Sequence, residues 1–141
     1  MVVYAESSAV LAWLLGEPRG QAVSAVLESA ERVITSDVTA VECARVLHRA
    51  VAIGALSAAQ RAVLDDDLRA AAAHWEHLAV ADRVTLPASG PDPVEPIRAL
   101  DALHLASARL AREVWPQLTV LSLGQRMRGN AAALTLSVAP A

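Results

Sequence analysis

Short β-branched runs, each followed at once by an apolar pattern of helical period, recur along this chain and leave few architectures open to it. Val2 to Ala5 is the first such run, and Val10, Leu11, Leu14 and Leu15 follow it at helical spacing. Gly16, Glu17 and Pro18 break that helix, and Gly20 to Ala30 supplies another, with Val23, Val26 and Leu27 on one side. A second strand is expected at Arg32 to Thr35. Ser36, Asp37 and Thr39 offer N-caps for a helix that runs to about Ile53 and ends at Gly54, and Ser57 starts a long helix reaching toward Leu78. These two are expected to form a helical hairpin. A third strand is expected at Arg83 to Leu86. Pro87 to Pro96 contains Pro87, Pro91, Pro93 and Pro96, so it is read as a loop crossing the sheet. A helix around Asp101 to Glu113, a strand at Leu118 to Leu121, a helix from about Gln125 to Leu134 and a strand near Leu136 to Val138 complete the pattern. Such alternation predicts an α/β protein, with a mostly parallel sheet of about five strands covered by helices on both faces.

The 141 residues suit one domain spanning 1–141, long enough to bury a core without disulfides or a structural metal. No apolar run approaches the ~20 residues that cross a bilayer. No basic region precedes an apolar stretch near Met1, so no export signal is expected. Cys43 is the single cysteine, which excludes an intrachain disulfide and zinc sites built on paired cysteines, and a cytoplasmic location is expected. With a formal net charge of −3, the chain lacks the basic field that holds nucleic acid by charge alone. Phosphate binding would have to be local. Every basic side chain is an arginine, among them Arg45, Arg49, Arg98, Arg109, Arg126 and Arg128, and the guanidinium fork suits phosphate oxygens. Compositional bias explains the absence of lysine equally well.

In a parallel sheet, ligands bind beyond the carboxyl ends of the strands. Glu6 follows the first strand, Glu42 lies in the early turns of the helix after the second, and Asp101 lies early in the helix after the proline-rich loop. Three acids are thereby expected at one edge. Packed carboxylates repel one another unless a cation lies between them, and an oxygen-rich, cysteine-free set favours Mg²⁺ or Mn²⁺. The corresponding chemistry is metal-assisted phosphodiester hydrolysis. Each acid also has a plainer reading. Glu42 has capping-box spacing from Thr39 and ion-pair spacing to Arg45; Asp101 suits a helix N-terminus or a bond to His104; Glu6 suits a helix cap. If Glu42 faces the site, Arg45 and Arg49 extend from it as a phosphate track.

Other candidates carry less. His74 and His77 bracket Glu76 without His-Glu-x-x-His spacing and are read as a solvated helix face. Asp65, Asp66 and Asp67 are adjacent on a helix, so they diverge and are read as surface. Ser7 or Ser8 with His104 and Asp101 would make a nucleophilic triad, but neither serine lies in a Gly-x-Ser-x-Gly elbow. No glycine-rich nucleotide loop occurs. Trp13, Trp75 and Trp115 fall on predicted helices and are read as core, with Trp13, Leu14 and Leu15 the best candidates for an interaction surface.

Taken in order, Tyr4-Ala5-Glu6-Ser7-Ser8-Ala9, Thr35-Ser36-Asp37 with Val41-Glu42, Leu100-Asp101-Ala102-Leu103-His104-Leu105-Ala106 and Val120-Leu121-Ser122-Leu123 resemble the PIN domains, and among them the VapC-type toxins of prokaryotic toxin–antitoxin pairs. The resemblance spans nearly the whole chain and lies in the ordered set rather than in any one motif. It implies a PIN-like three-layer α/β/α sandwich and a metal-dependent ribonuclease whose acids, here Glu6, Glu42 and Asp101, bind Mg²⁺ or Mn²⁺. It also implies frequent homodimers and restraint by a cognate antitoxin. Ser7, Ser8, Ser122 and His104 take supporting positions, and Arg45, Arg49 and Arg126 are candidates for RNA phosphate. Two departures stand out: Glu6 replaces the usual aspartate, and Ser122-Leu123-Gly124 replaces a Ser-x-Asp or Thr-x-Asp pattern, so Gly124 supplies no fourth acid. They predict weakened activity, and they leave open a catalytically degenerate binding module. Gly124 could instead be required by a tight backbone turn.

Overall fold

The computed structural model describes residues 1–141. Strands β1 (Val2–Ala5), β2 (Arg32–Ser36), β3 (Glu76–Leu78), β4 (Thr119–Leu121) and β5 (Ser137–Ala139) form one sheet in the order β3-β2-β1-β4-β5, and all pairs are parallel. The helices are α1 (Ser7–Leu14), α2 (Gly20–Ser29), α3 (Asp37–Ala52), α4 (Ala58–Ala72), α5 (Asp82–Ala88), α6 (Ala99–Val114) and α7 (Gln125–Ala133).

Handedness places the layers. Steps from β1 to β2 to β3 run one way along the sheet, and the steps to β4 and β5 run the other, so right-handed crossovers put the two sets of helices on opposite faces. Strand alternation matches this division. Tyr4, Ile34 and Val120 point to one face and pack with Leu105, Ala108 and Ala111 of α6 and Met127 and Ala131 of α7. Val3, Ala5, Val33 and Leu121 point to the other and pack with Ala9, Val10 and Leu14 of α1, Val23 of α2 and Cys43 of α3. The chain is therefore a three-layer α/β/α sandwich.

Three expectations are corrected. The helix begun at Ser57, where a capping box with Gln60 forms, stops at Ala72, and Glu76–Leu78 forms β3 as an edge strand. An alanine-rich run tolerates helix well past Ala72, so only pairing of β3 with β2 ends it. Arg83 to Leu86 consequently lies in α5, not in a strand, and α5 runs through Pro87 to Ala88. Trp75 lies in a bend and Trp115 caps α6 rather than continuing it, leaving Trp13 alone on a helix. Past α5, the loop belongs to the crossover to β4 and is pinned by buried Asn130, whose amide accepts from the Val94 N–H and donates to the Glu95 carbonyl.

Gly20 opens α2 where it meets α1, and a Cβ there would lie 2.3 Å from the Ala12 carbonyl oxygen. That contact involves backbone and cannot be relieved by a rotamer change. Gly20→Ala should lower unfolding stability by at least about 2 kcal/mol, seen as a reduced urea midpoint at unchanged slope.

Candidate active site

Four helices, α1, α3, α6 and α7, each begin beyond the carboxyl end of the sheet, and their first turns supply the site. Glu6 lies at the topological switch point, between β1 and β4. Its backbone N–H donates to the Leu121 carbonyl, and its side chain caps α1 by accepting from the Ser8 N–H at 3.0 Å. Glu6 is only 4% exposed. Burial on that scale requires donors, and serines provide them. Oε1 accepts from the Ser8 amide and lies 3.2 Å from Ser7 Oγ, while Oε2 accepts from Ser122 Oγ at 2.8 Å and from Ser8 Oγ. The cap reading and the site reading of Glu6 thus describe one geometry.

A second network reaches Glu42. His104, fully buried on α6, bonds the Tyr4 hydroxyl through Nδ1 at 2.8 Å, and through Nε2 it bonds Glu42 Oε1 at 2.6 Å and Ser7 Oγ at 2.8 Å. Ser7 Oγ donates to Glu42 Oε1 at 2.6 Å, so this one hydroxyl lies between the Glu6 and Glu42 carboxylates. Burial pushes the Glu42 carboxyl up, but the bonds from His104 and Ser7 and the charge of His104 outweigh it and hold the group below its usual range. Glu42 neither caps α3, where Ser36 serves, nor pairs with Arg45. The Ser–His–Asp triad is also overturned. His104 does meet Ser7, but its other nitrogen faces Tyr4 rather than Asp101, and Ser7 is 1% exposed.

Asp101 lies in the first turn of α6. Burial raises its carboxyl, the negative charge of Glu6 adds to this, and Glu42 contributes in the same direction against the opposing effects of His104 and the Arg98 backbone. The three acids therefore share one electrostatic environment. Their cavities differ. Glu6 and Asp101 line a cavity of about 390 Å³ with Ser8, Arg98, Gly124 and Arg126, whereas Glu42 lines a neighbouring apolar one with Val38, Val41, Arg45, Val80 and Leu100. No group of three or more His, Cys, Asp or Glu side chains is set to hold a metal ion in this conformation. Donor chemistry is nonetheless suited to a hard cation, since every candidate ligand atom is a carboxylate oxygen and the repulsion that raises Asp101 is the kind a cation relieves.

Gly124 has φ −71° and ψ 116°, which any residue adopts, and a Cβ there would make only ordinary contacts of 3.6 Å with Met127 and Ser122. The tight-turn explanation for this glycine falls. It is the N-cap of α7 and contributes no side-chain bond there. Arg45 and Arg49 are exposed on α3, and Arg126 stands 3.9 Å from Glu95. Elsewhere, His74 and His77 are exposed outside any helix, Asp65 and Asp66 pair with Arg61 and Arg69, and burial pushes the Cys43 thiol up to about 12 with help from Glu42 and Glu6. Sequence reasoning missed Tyr4 as the partner of His104. Only the alternation that turns Tyr4 toward α6 hinted at it.

The PIN domain family model matches residues 3–128, and the chain belongs to that family. PIN domains are generally nucleases that use divalent metals. Among solved structures, FitAcB from Neisseria gonorrhoeae is similar with a TM-score of 0.72 at 19% identity, covering 99% of this chain and 97% of that one. PAE2754 from Pyrobaculum aerophilum is similar with a TM-score of 0.61 at 12% identity, covering 98% and 83%. These likenesses establish the shared fold. No curated protein sequence gives a match. No helix is long and apolar enough to cross a membrane.

The direction of the Asp101 shift has a consequence for stability. Its carboxyl ionises at higher pH in the fold than in the unfolded chain, so its contribution is fully present in acid and is lost as pH rises through the raised value. Asp101→Asn keeps the neutral form. In chelator the variant should show a higher urea midpoint than the natural protein at about pH 7, and the gain should vanish toward about pH 3.

Proposed function

We propose that this PIN domain is a VapC-like ribonuclease that binds Mg²⁺ or Mn²⁺ through Glu6, Glu42 and Asp101, hydrolyses RNA phosphodiester bonds and is held in check by an antitoxin. The carrying observation is geometric: Glu6 and Asp101 line one cavity at the carboxyl end of the sheet, and the Ser7 hydroxyl lies between Glu6 and Glu42. A bound cation supplies charge neutralisation on the phosphate and activation of water. The chain's own residues do the positioning. Ser8 and Ser122 fix Glu6; His104, itself held by Tyr4, fixes Oε1 of Glu42 and leaves Oε2 without a protein partner. Asp101 has no side-chain hydrogen-bond partner and is the acid best able to take up a cation.

A second reading is favoured by one observation. Both oxygens of Glu6 are already engaged by Ser8 and Ser122, so direct ligation competes with these bonds, and Gly124 offers no replacement acid. On this reading the chain is a degenerate PIN module that binds an antitoxin, another protein or RNA. Cleavage of a mixed RNA pool in Mn²⁺, Mg²⁺ and chelator separates the two. The natural protein should cleave weakly and only with metal, Asp101→Asn should fall to the chelator level, and Gly124→Asp should raise the rate roughly tenfold through a tighter or better-oriented cation. Equal, background rates for all three folded proteins would favour the binding module.

Self-association or antitoxin docking is proposed on the first-half helices. Trp13 is half-buried and faces Trp75 at 6.4 Å, so the contact falls on the apolar groove of Leu14, Leu15, Leu56, Val63 and Leu64 between α1 and α4. Helix α4 buries none of its residues, and Val63 is 58% exposed. Light scattering should report a dimer that Val63→Glu dissociates; a natural protein monomeric at all workable concentrations, with no antitoxin bound, would remove this proposal.

A further inference from the structure

Half of the twelve arginines are held by acids or backbone carbonyls. Arg61, Arg69 and Arg83 pair with acids, and Arg128 donates to the Ser122 and Ala139 carbonyls. Two that line the cavity beside Glu6 and Asp101 are not so bound. Arg98 is exposed and forms no ion pair, although Asp101 lies one turn along the same helix at a spacing that permits one. Arg126 approaches Glu95 only to 3.9 Å and is 69% exposed. Gly124 lines the same cavity and contributes no side chain to it.

We propose that Arg98 and Arg126 form a phosphodiester seat, binding one backbone phosphate of RNA in the cavity that Gly124 lines beside Glu6 and Asp101. This rests on the RNA reading above and specifies where the strand lies. A guanidinium binds phosphate oxygens through paired, charge-assisted hydrogen bonds, and it offsets the repulsion that the two nearby carboxylates impose on an anion. Arg45 is the rival. Its cavity is walled by Val38, Val41, Val80 and Leu100, and a phosphate there would lose hydration against aliphatic surface without gaining comparable donors. Arg98 is thereby a substrate-positioning residue, and the phosphate path runs across α6 and α7 rather than along α3.

The seat is tested without cleavage. Fluorescence anisotropy of a labelled single-stranded RNA 12-mer, in chelator and over a series of salt concentrations, reads both affinity and the number of phosphate contacts. Arg98→Ala and Arg126→Ala should each weaken binding several-fold and lower the log–log salt slope by ~0.7. Arg98→Lys should retain the slope. Gly124→Asp should weaken metal-free binding, because it places a carboxylate in the seat, and Arg109→Ala, on another cavity, should change nothing. Unchanged slopes for Arg98→Ala and Arg126→Ala, or a loss confined to Arg45→Ala and Arg49→Ala, would overturn the seat while leaving the RNA reading intact. Absence of RNA binding by the natural protein at low salt would instead overturn the RNA reading itself. Displacement of the RNA by polyaspartate of equal length at equal concentration would show a general anion site and also overturn the proposal.

Discussion

A carboxylate buried at the end of a central strand is the constraint on which the rest of this molecule depends. Glu6 follows β1, the middle strand of five, and its charge has no neighbouring cation in hydrogen-bond contact. An uncompensated buried charge would cost several kcal/mol, so the surrounding residues are those that can donate. Ser7 and Ser8 open α1, and Ser122 closes β4 from the adjacent strand. These bonds also tie β1, α1 and β4 together where the topology reverses. The site is therefore part of what closes the sheet edge.

The same logic governs the second network. Tyr4 points into the layer of α6 while its neighbour Ala5 points into the layer of α1 and α3, and His104 connects Tyr4 to the acid side through Glu42. The buried phenol is raised well above its ordinary range, chiefly by burial and despite a bond from Ser107, with Glu6 and Glu42 adding to the rise. It stays neutral and bonds His104 through Nδ1. Helices from opposite faces of the sheet are thus joined at the carboxyl edge by a chain of polar contacts, with no buried polar side-chain atom left unpartnered.

Two cavities flank this polar seam. On one side lie Glu6 and Asp101 with Arg98 and Arg126; on the other, Glu42 stands among aliphatic side chains. The first turn of α6 divides them, since Arg98 and Asp101 line the first cavity and Leu100 the second. A single helical turn therefore presents charge to one side and hydrocarbon to the other. Asn130 sets the entry to that turn by pinning the proline-rich loop at Val94 and Glu95.

Much of this was legible in the residues themselves because it rests on local periodicity. The β-branched run at Val2 to Ala5, the helix start at Ser57 and the stop at Gly54, whose φ is +76°, all follow from short-range sterics and hydrogen bonding. The positions of Glu6, Glu42 and Asp101 relative to their strands were readable for the same reason. What was not readable depended on partners distant in sequence. Edge strand β3 exists only because β2 offers it a hydrogen-bonding edge, and without that information the alanine-rich stretch reads as continuing helix. The bond from Ser7 to Glu42 spans 35 positions and that from Tyr4 to His104 spans 100. Sequence thus determined the order of elements and the chemical character of the site, because those are properties of neighbouring residues. Tertiary structure alone decided which side chains share a cavity, because that follows from crossover handedness and from how the helices meet over the sheet.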